Sequence, residues 1–276
     1  MNEELLFYAT VGAYLIATFL YLGYILSKNK MLGDAASAVT LLGFVANTAT
    51  LAVRTINVGH APFSNMYEFS TSFAWGIVAV YIWAEYRYKF KSIGAFVMPL
   101  AFLLIASTDM LGISKDVKPL MPALKSNWMT IHVATAVIAY GAYALSAGLA
   151  VMYLLKEKME KTKSKSFFNK ELPEARILDD LSHRFIAFAF PFMSAVIISG
   201  AVWAEYAWGR YWSWDPKETW SLITWLVYSA YLHARFTYGW KGRRAAWLAI
   251  IGFITVLFTY FGVNILLSGL HSYGGV

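Results

Sequence analysis

Cysteine is absent from this 276-residue chain, and charge is scarce. Without thiols there is no disulfide, no thiol exchange, and no thiolate-held zinc or iron–sulfur cluster. Any metal chemistry falls to five histidines and the carboxylates. Charged residues make up 14% of the chain, against roughly 25% in a soluble domain. Hydrophobic residues reach 59% and mean hydropathy is +0.51. That balance excludes an ordinary aqueous globule and places the chain in a bilayer. No cleavable signal peptide is expected either: MNEELLFYAT opens acidic and has no small-residue cleavage site after a short apolar run. Neither an internal repeat nor a low-complexity tract interrupts the sequence.

What is present is a series of eight apolar stretches, at about 4–26, 32–53, 68–85, 92–107, 128–155, 185–205, 218–235 and 245–268. Each approaches or exceeds the ~20 residues a helix needs to cross the hydrocarbon. The expectation is an all-α polytopic bundle of about eight spans forming one membrane domain over 1–276. The fourth stretch is the shortest, and Pro99 within it is a candidate kink. Alternate loops hold seventeen and six of the Lys and Arg residues. By the positive-inside rule both termini then lie outside, and the polar connector 156–180 lies in the cytoplasm.

On that topology the outer face carries residues 206–220, inside a stretch reading WGRYWSWDPKETWSLITW from Trp208 to Trp225, with five of the eleven tryptophans. Trp75, Trp83, Trp128, Trp203, Trp240 and Trp247 read mainly as interfacial anchors. Trp208, Trp212, Trp214 and Trp220 are too dense for anchoring alone and suit a large, flat, amphipathic ligand. Asp215 before Pro216 reads first as a helix cap and second as a contact of the bound ligand. His132 and His271 come to the same outer level from spans on either side of this segment. Two imidazoles at one depth suit both axial positions of a haem iron, and Arg54, Arg210 and Lys217 are cations available to its propionates. His233 lies about thirteen residues beyond Trp220, roughly 20 Å deeper along a helix. It therefore cannot share that haem and suggests a second, membrane-embedded site, with His183 or a histidine of another chain as partner, the alternative being an interfacial residue beside Arg235. His60 sits in an outer loop.

The run WGRYWSWDPKETWSLITWLVYSAYLHAR resembles the tryptophan-rich WWD signature of haem-handling proteins, and within them the CcsA (ResC) family of system II cytochrome c biogenesis. GHAPFSNMYEF at 59–69, IHVATAVIAYGAYALS at 131–146 and GLHSYGG at 269–275 extend the likeness over most of the chain. The WDPKETW continuation sets it apart from the related haem-handling proteins CcmC and CcmF. The resemblance implies that His132 and His271 match an external haem-ligand pair and that His233 matches a ligand of a membrane haem site. It further implies a CcsB (ResB)-type membrane subunit supplying the other histidine there, haem b as cofactor, and apocytochrome c with a C-x-x-C-H segment as the acceptor. The chain is then expected to export haem and present it for thioether formation, as a synthase subunit inactive without its partner and with no catalytic side chain of its own. The bacterial cytoplasmic membrane is the expected location, with the thylakoid membrane as the alternative. Three other classes compete: a b-type electron-transfer cytochrome, which usually pairs histidines on single helices; a haem-free transporter with interfacial tryptophans; and a structural scaffold of a synthase complex.

Overall fold

The structure, a computed structural model, describes residues 2–27, 29–117, 120–162 and 172–267. Eight long helices account for most of them: α1 (Glu3–Ser27), α2 (Lys30–Val58), α3 (Met66–Tyr88), α4 (Gly94–Met110), α5 (Asn127–Lys161), α6 (Ala175–Trp208), α7 (Pro216–Thr237) and α8 (Arg243–Leu257). A π-helical turn, Phe258–Gly262, continues α8 into the short α9 (Val263–Leu266). No strand occurs among the described residues. The chain is thus an all-α, multi-pass membrane bundle, with a helix on each of the eight apolar stretches. Residues 163–171 of the polar connector lie outside the described residues, as does His271.

Among the described residues, six helical segments are long and apolar enough to cross a membrane; α3 and α7 are the two long helices left out. Their lower hydropathy has a local cause. Helix α3 buries Glu68, Ser70, Thr71 and Ser72, and α7 opens with Lys217, Glu218 and Thr219. Polar side chains at this depth face other helices rather than lipid. Pro99 sits inside α4, which runs on through it, as membrane helices allow.

Helix α5 is the hub, packing against α3, α4, α6 and α8, while α1 and α2 pair with each other at the margin. Close approach of α3 and α5 depends on glycine. A Cβ on Gly141 would lie 2.7 Å from the Gly76 carbonyl, and one on Gly76 would lie 2.7 Å from the Val137 carbonyl. With lipid as the alternative solvent, such backbone contact is what drives helix association.

Each end of the bundle is pinned by buried charge. At one end Arg54 (3% exposed) donates from Nε to Glu68 Oε1 at 2.8 Å, Glu68 itself being 1% exposed. Arg54 also reaches Glu3 at 3.4 Å and the Lys115 and Asp116 carbonyls at 2.8 and 3.2 Å. Helices α1, α2 and α3 and the loop after α4 are thereby tied together. At the opposite end Arg235 donates to both Asp179 oxygens, at 2.9 and 2.8 Å, while Gly242 N–H donates to the same carboxylate at 2.9 Å. This clasp joins the start of α6, the end of α7 and the turn before α8. Nearby, Glu85 accepts from Tyr21 at 2.8 Å, from Tyr81 at 2.5 Å and from Ser37, linking α1, α2 and α3.

Candidate functional site

At the Arg54 end, a cleft partly open to solvent lies among the loop before α3, the first turns of α5, the last turns of α6, the start of α7 and the π-helical turn. Its walls include Phe69, Tyr140, Trp203, Trp212 and Tyr260, with His132, Lys217, Glu218 and Asn264 as the polar residues that matter most below. A mostly apolar concavity with a few convergent polar groups is the usual form of a ligand site.

His132 is held rather than merely present. Its Nδ1 lies 2.8 Å from the Val196 carbonyl oxygen on α6. A carbonyl can only accept, so Nδ1 carries the proton; in the neutral ring the lone pair is then on Nε2, the arrangement that prepares a histidine for a metal. Gly200 makes this approach possible: a Cβ there would stand 2.8 Å from His132 Nδ1 and 2.9 Å from Cε1. The Trp203 ring, one turn beyond Gly200, lies 5.8 Å from the imidazole at 39°. Trp208 packs on Trp203 at 5.3 Å.

Helix α7 begins at the cleft with a capping box. Asp215 Oδ2 accepts from Lys217 N–H at 3.0 Å, and Glu218 Oε2 accepts from Asp215 N–H at 3.1 Å. The N-terminal backbone donors, left orphaned by any helix start, are met in this way. Glu218 Oε2 also accepts from the Ser213 amide at 2.8 Å, which folds the tryptophan loop back onto the helix. On the facing wall the π-helical turn carries Tyr260 to Ser70 and the Met66 carbonyl, the latter at 3.1 Å. Single π-helical turns inside α-helices are frequent at functional sites, and this one precedes the segment that leads to His271.

The structure sorts the sequence candidates. His132 and Trp212 line the cleft, with Trp208 one ring behind Trp203. Trp214 is 68% exposed, adopts φ 60°, and meets Trp212 edge-on at 5.7 Å. Trp220 packs on Phe258 at 4.0 Å, supporting the π-helical turn rather than lining the cleft. Asp215 is the cap. Arg54, a candidate for propionates, is engaged by Glu68, Glu3 and two carbonyls. His60 turns to the neighbouring Ala61 carbonyl at 2.8 Å.

His233 stands at the other end of α7, on an exposed face, with Tyr238 edge-on at 5.5 Å. His183 lies among rings, 6.0 Å from Tyr231 and 5.5 Å from Phe236, and its Nδ1 is buried without a hydrogen-bond partner among the described residues. Sequence reasoning missed the place of Trp203 at the site: it is 4% exposed and packs beside His132. The available signal was its one-turn spacing from Gly200, a small residue that lets another helix come close.

The family profile described as Cytochrome C assembly protein matches residues 63–271. A cytochrome c biogenesis protein CcsA from Guillardia theta is 43% identical over 272 residues, covering 92% of this chain and 90% of that protein. The CcsA proteins of Gloeobacter violaceus and a Synechocystis species are 38% and 36% identical, covering 99% and 94% of this chain and 96% and 94% of their own lengths. Among solved structures, the cytochrome c haem lyase CcmF superposes with a TM-score of 0.68 at 16% identity, over 97% of this chain. That likeness speaks for the fold alone, and the chain spans about half, 47%, of CcmF's length. On the strength of the long matches, this chain belongs to the CcsA family of cytochrome c assembly proteins and acts in cytochrome c maturation.

Proposed function

We propose that the cleft holds haem, as substrate, and presents it for covalent attachment to apocytochrome c on the extracytoplasmic face. The observation that carries this reading is His132: an imidazole locked by the Val196 carbonyl into the tautomer a metal requires, at the wall of an aromatic cleft. His271, outside the described residues, is the second axial ligand on this reading. The residues present fit the group. Phe69, Trp203, Trp212 and Tyr260 offer ring surface to a porphyrin, and the polar wall at Lys217 and Asn264 suits its carboxylate edge. The two thiols of a C-x-x-C-H segment would each add across a vinyl group, sulfur bonding to the carbon next to the ring and hydrogen going to the terminal carbon. This chain has no thiol to give to that step, and on this reading no proton-transfer pair. Its part is to hold, orient and shield the ligand.

The exposed setting of His233 supports a second, membrane-level haem site completed by a CcsB (ResB)-type subunit. Haem would reach the cleft from that end, which the excess of Lys and Arg in the adjoining loops assigns to the cytoplasm. The iron protoporphyrin is haem b on this reading. The membrane is the bacterial cytoplasmic membrane or the thylakoid; relatives from a cyanobacterium and an alga fit either.

Substitution of the two ligands is the test. His132→Ala and His271→Ala should each lower haem occupancy of the chain purified with its partner and abolish holocytochrome c formation in a maturation assay. Free imidazole should restore part of the occupancy. Normal maturation in both variants would refute the ligand assignment.

A further inference from the structure

Lys217 is a partly buried cation in a wall of rings, and its ammonium meets a neutral group. Nζ donates to Asn264 Oδ1 at 3.0 Å. The carboxamide is fixed in that sense because Asn264 Nδ2 donates to the Tyr260 carbonyl at 2.6 Å. Neighbouring carboxylates are otherwise occupied: Asp215 caps α7, and Glu218 Oε2 serves the Ser213 and Asp215 amides. No ion pair to Lys217 occurs among the described residues. A partly buried ammonium whose hydrogen bond among the described residues goes to a carboxamide, with the Asp215 charge felt from beyond ion-pair distance, is incompletely compensated, and an anion arriving from outside improves that balance. Glu218 Oε1, buried on the same wall without a hydrogen-bond donor among the described residues, repels an anion at its own position.

We infer that Lys217, oriented by Asn264, is the specificity-determining cation of the cleft, selecting flat apolar ligands that carry a carboxylate at one edge. The inference rests on the reading of the cleft as a haem site and deepens it. On that reading a propionate docks on Lys217, and the ring system is set by one edge and by His132. The other two cations first considered are unsuited. Arg54 is held by Glu68 and Glu3, and Arg210 is an exposed residue that does not line the cleft. A charge-assisted contact of this kind corresponds to on the order of ten- to a hundredfold in affinity.

The test compares haem with haem dimethyl ester, in which both carboxylates are capped. Each is titrated into the full-length chain in detergent and followed by absorption, with His132→Ala defining the part of the signal that belongs to the cleft. Wild type should bind haem about tenfold or more tighter than the ester. Lys217→Met should bind both as weakly as wild type binds the ester, whereas Lys217→Arg should keep the preference. Equal affinity of wild type for the two ligands overturns the inference without recourse to any variant, and so does an undiminished preference in Lys217→Met. Absence of His132-dependent binding for both ligands overturns instead the haem reading beneath it.

Discussion

A single methyl group at position 200 should misplace the His132 imidazole while leaving the bundle intact. In Gly200→Ala the new carbon would stand 2.8 Å from His132 Nδ1 and 2.9 Å from Cε1. Ordinary carbon contacts lie at about 3.5–4.0 Å, so ring and methyl must separate by roughly 0.7–1 Å. Shifting the ring that far lengthens the 2.8 Å bond to Val196 beyond about 3.5 Å, where it no longer counts as a hydrogen bond. The tautomer is then no longer dictated and Nε2 is no longer aimed. Misplacement by about 1 Å costs on the order of a hundredfold in a positioned site. Fold stability should change little, because overpacking costs about 1–3 kcal/mol and alanine regains about 1 kcal/mol over glycine in a helix. The assay is a haem titration beside a thermal melt monitored by circular dichroism. Expected are a melting temperature near wild type, a large loss of affinity, and recovery of a bis-imidazole spectrum on adding free imidazole. Unchanged affinity and spectrum at position 200 would show that the Val196 contact does not set the ligand.

Trp214→Gly should hold or raise thermal stability, since it relieves a left-handed backbone worth about 1 kcal/mol or more at an exposed site. A simultaneous fall in haem affinity would mark Trp214 as a ligand contact, and no change would mark it as a surface ring. Asp215→Ala should lower stability by about 1 kcal/mol through loss of the α7 cap, read by thermal melting, with the haem spectrum of the surviving fold unchanged. Arg54→Met strands the buried Glu68 carboxylate and should cost about 3–5 kcal/mol, whereas the Arg54→Met, Glu68→Leu pair should recover most of that loss. A double variant as unstable as the single one would show that the Lys115 and Asp116 carbonyl contacts carry the energy instead.

The helices were legible because the bilayer imposes one rule: apolar stretches of about twenty residues bounded by polar turns. Their extent beyond the apolar cores was not, since α6 begins at Ala175, ten residues before its hydrophobic stretch, held there by the Asp179 and Asp180 contacts with Arg235. Composition likewise pointed to the tryptophan loop but not to its division of labour. Trp212 turns inward, Trp214 outward and Trp220 onto Phe258, and only the capping box and the left-handed residue between them decide this. Trp203 escaped notice because a lone tryptophan near a helix end looks like an anchor. Its value comes from a neighbour 71 positions away in sequence, His132, brought close by the glycine at 200. Depth counting placed His132 and His233 at opposite ends of the bundle, as the structure has them, while the partner of His132's Nδ1 is a backbone carbonyl that no sequence pattern announces.

Helix α7 joins the two levels at which histidines were expected, and it is fastened at both. Its first turn is locked by the capping box and by the Lys217–Asn264 contact, its last by the Arg235–Asp179 clasp. Lys217 and His233 are sixteen residues apart on this one helix, or about 24 Å at 1.5 Å per residue. Sliding α7 by one turn, about 5.4 Å, would break both fastenings and still leave most of that span uncovered. On the proposed reading, transfer between levels therefore has to move the ligand past a stationary helix. Loosening the clasp with Asp179→Asn should accordingly lower stability while leaving haem affinity at the His132 cleft unchanged.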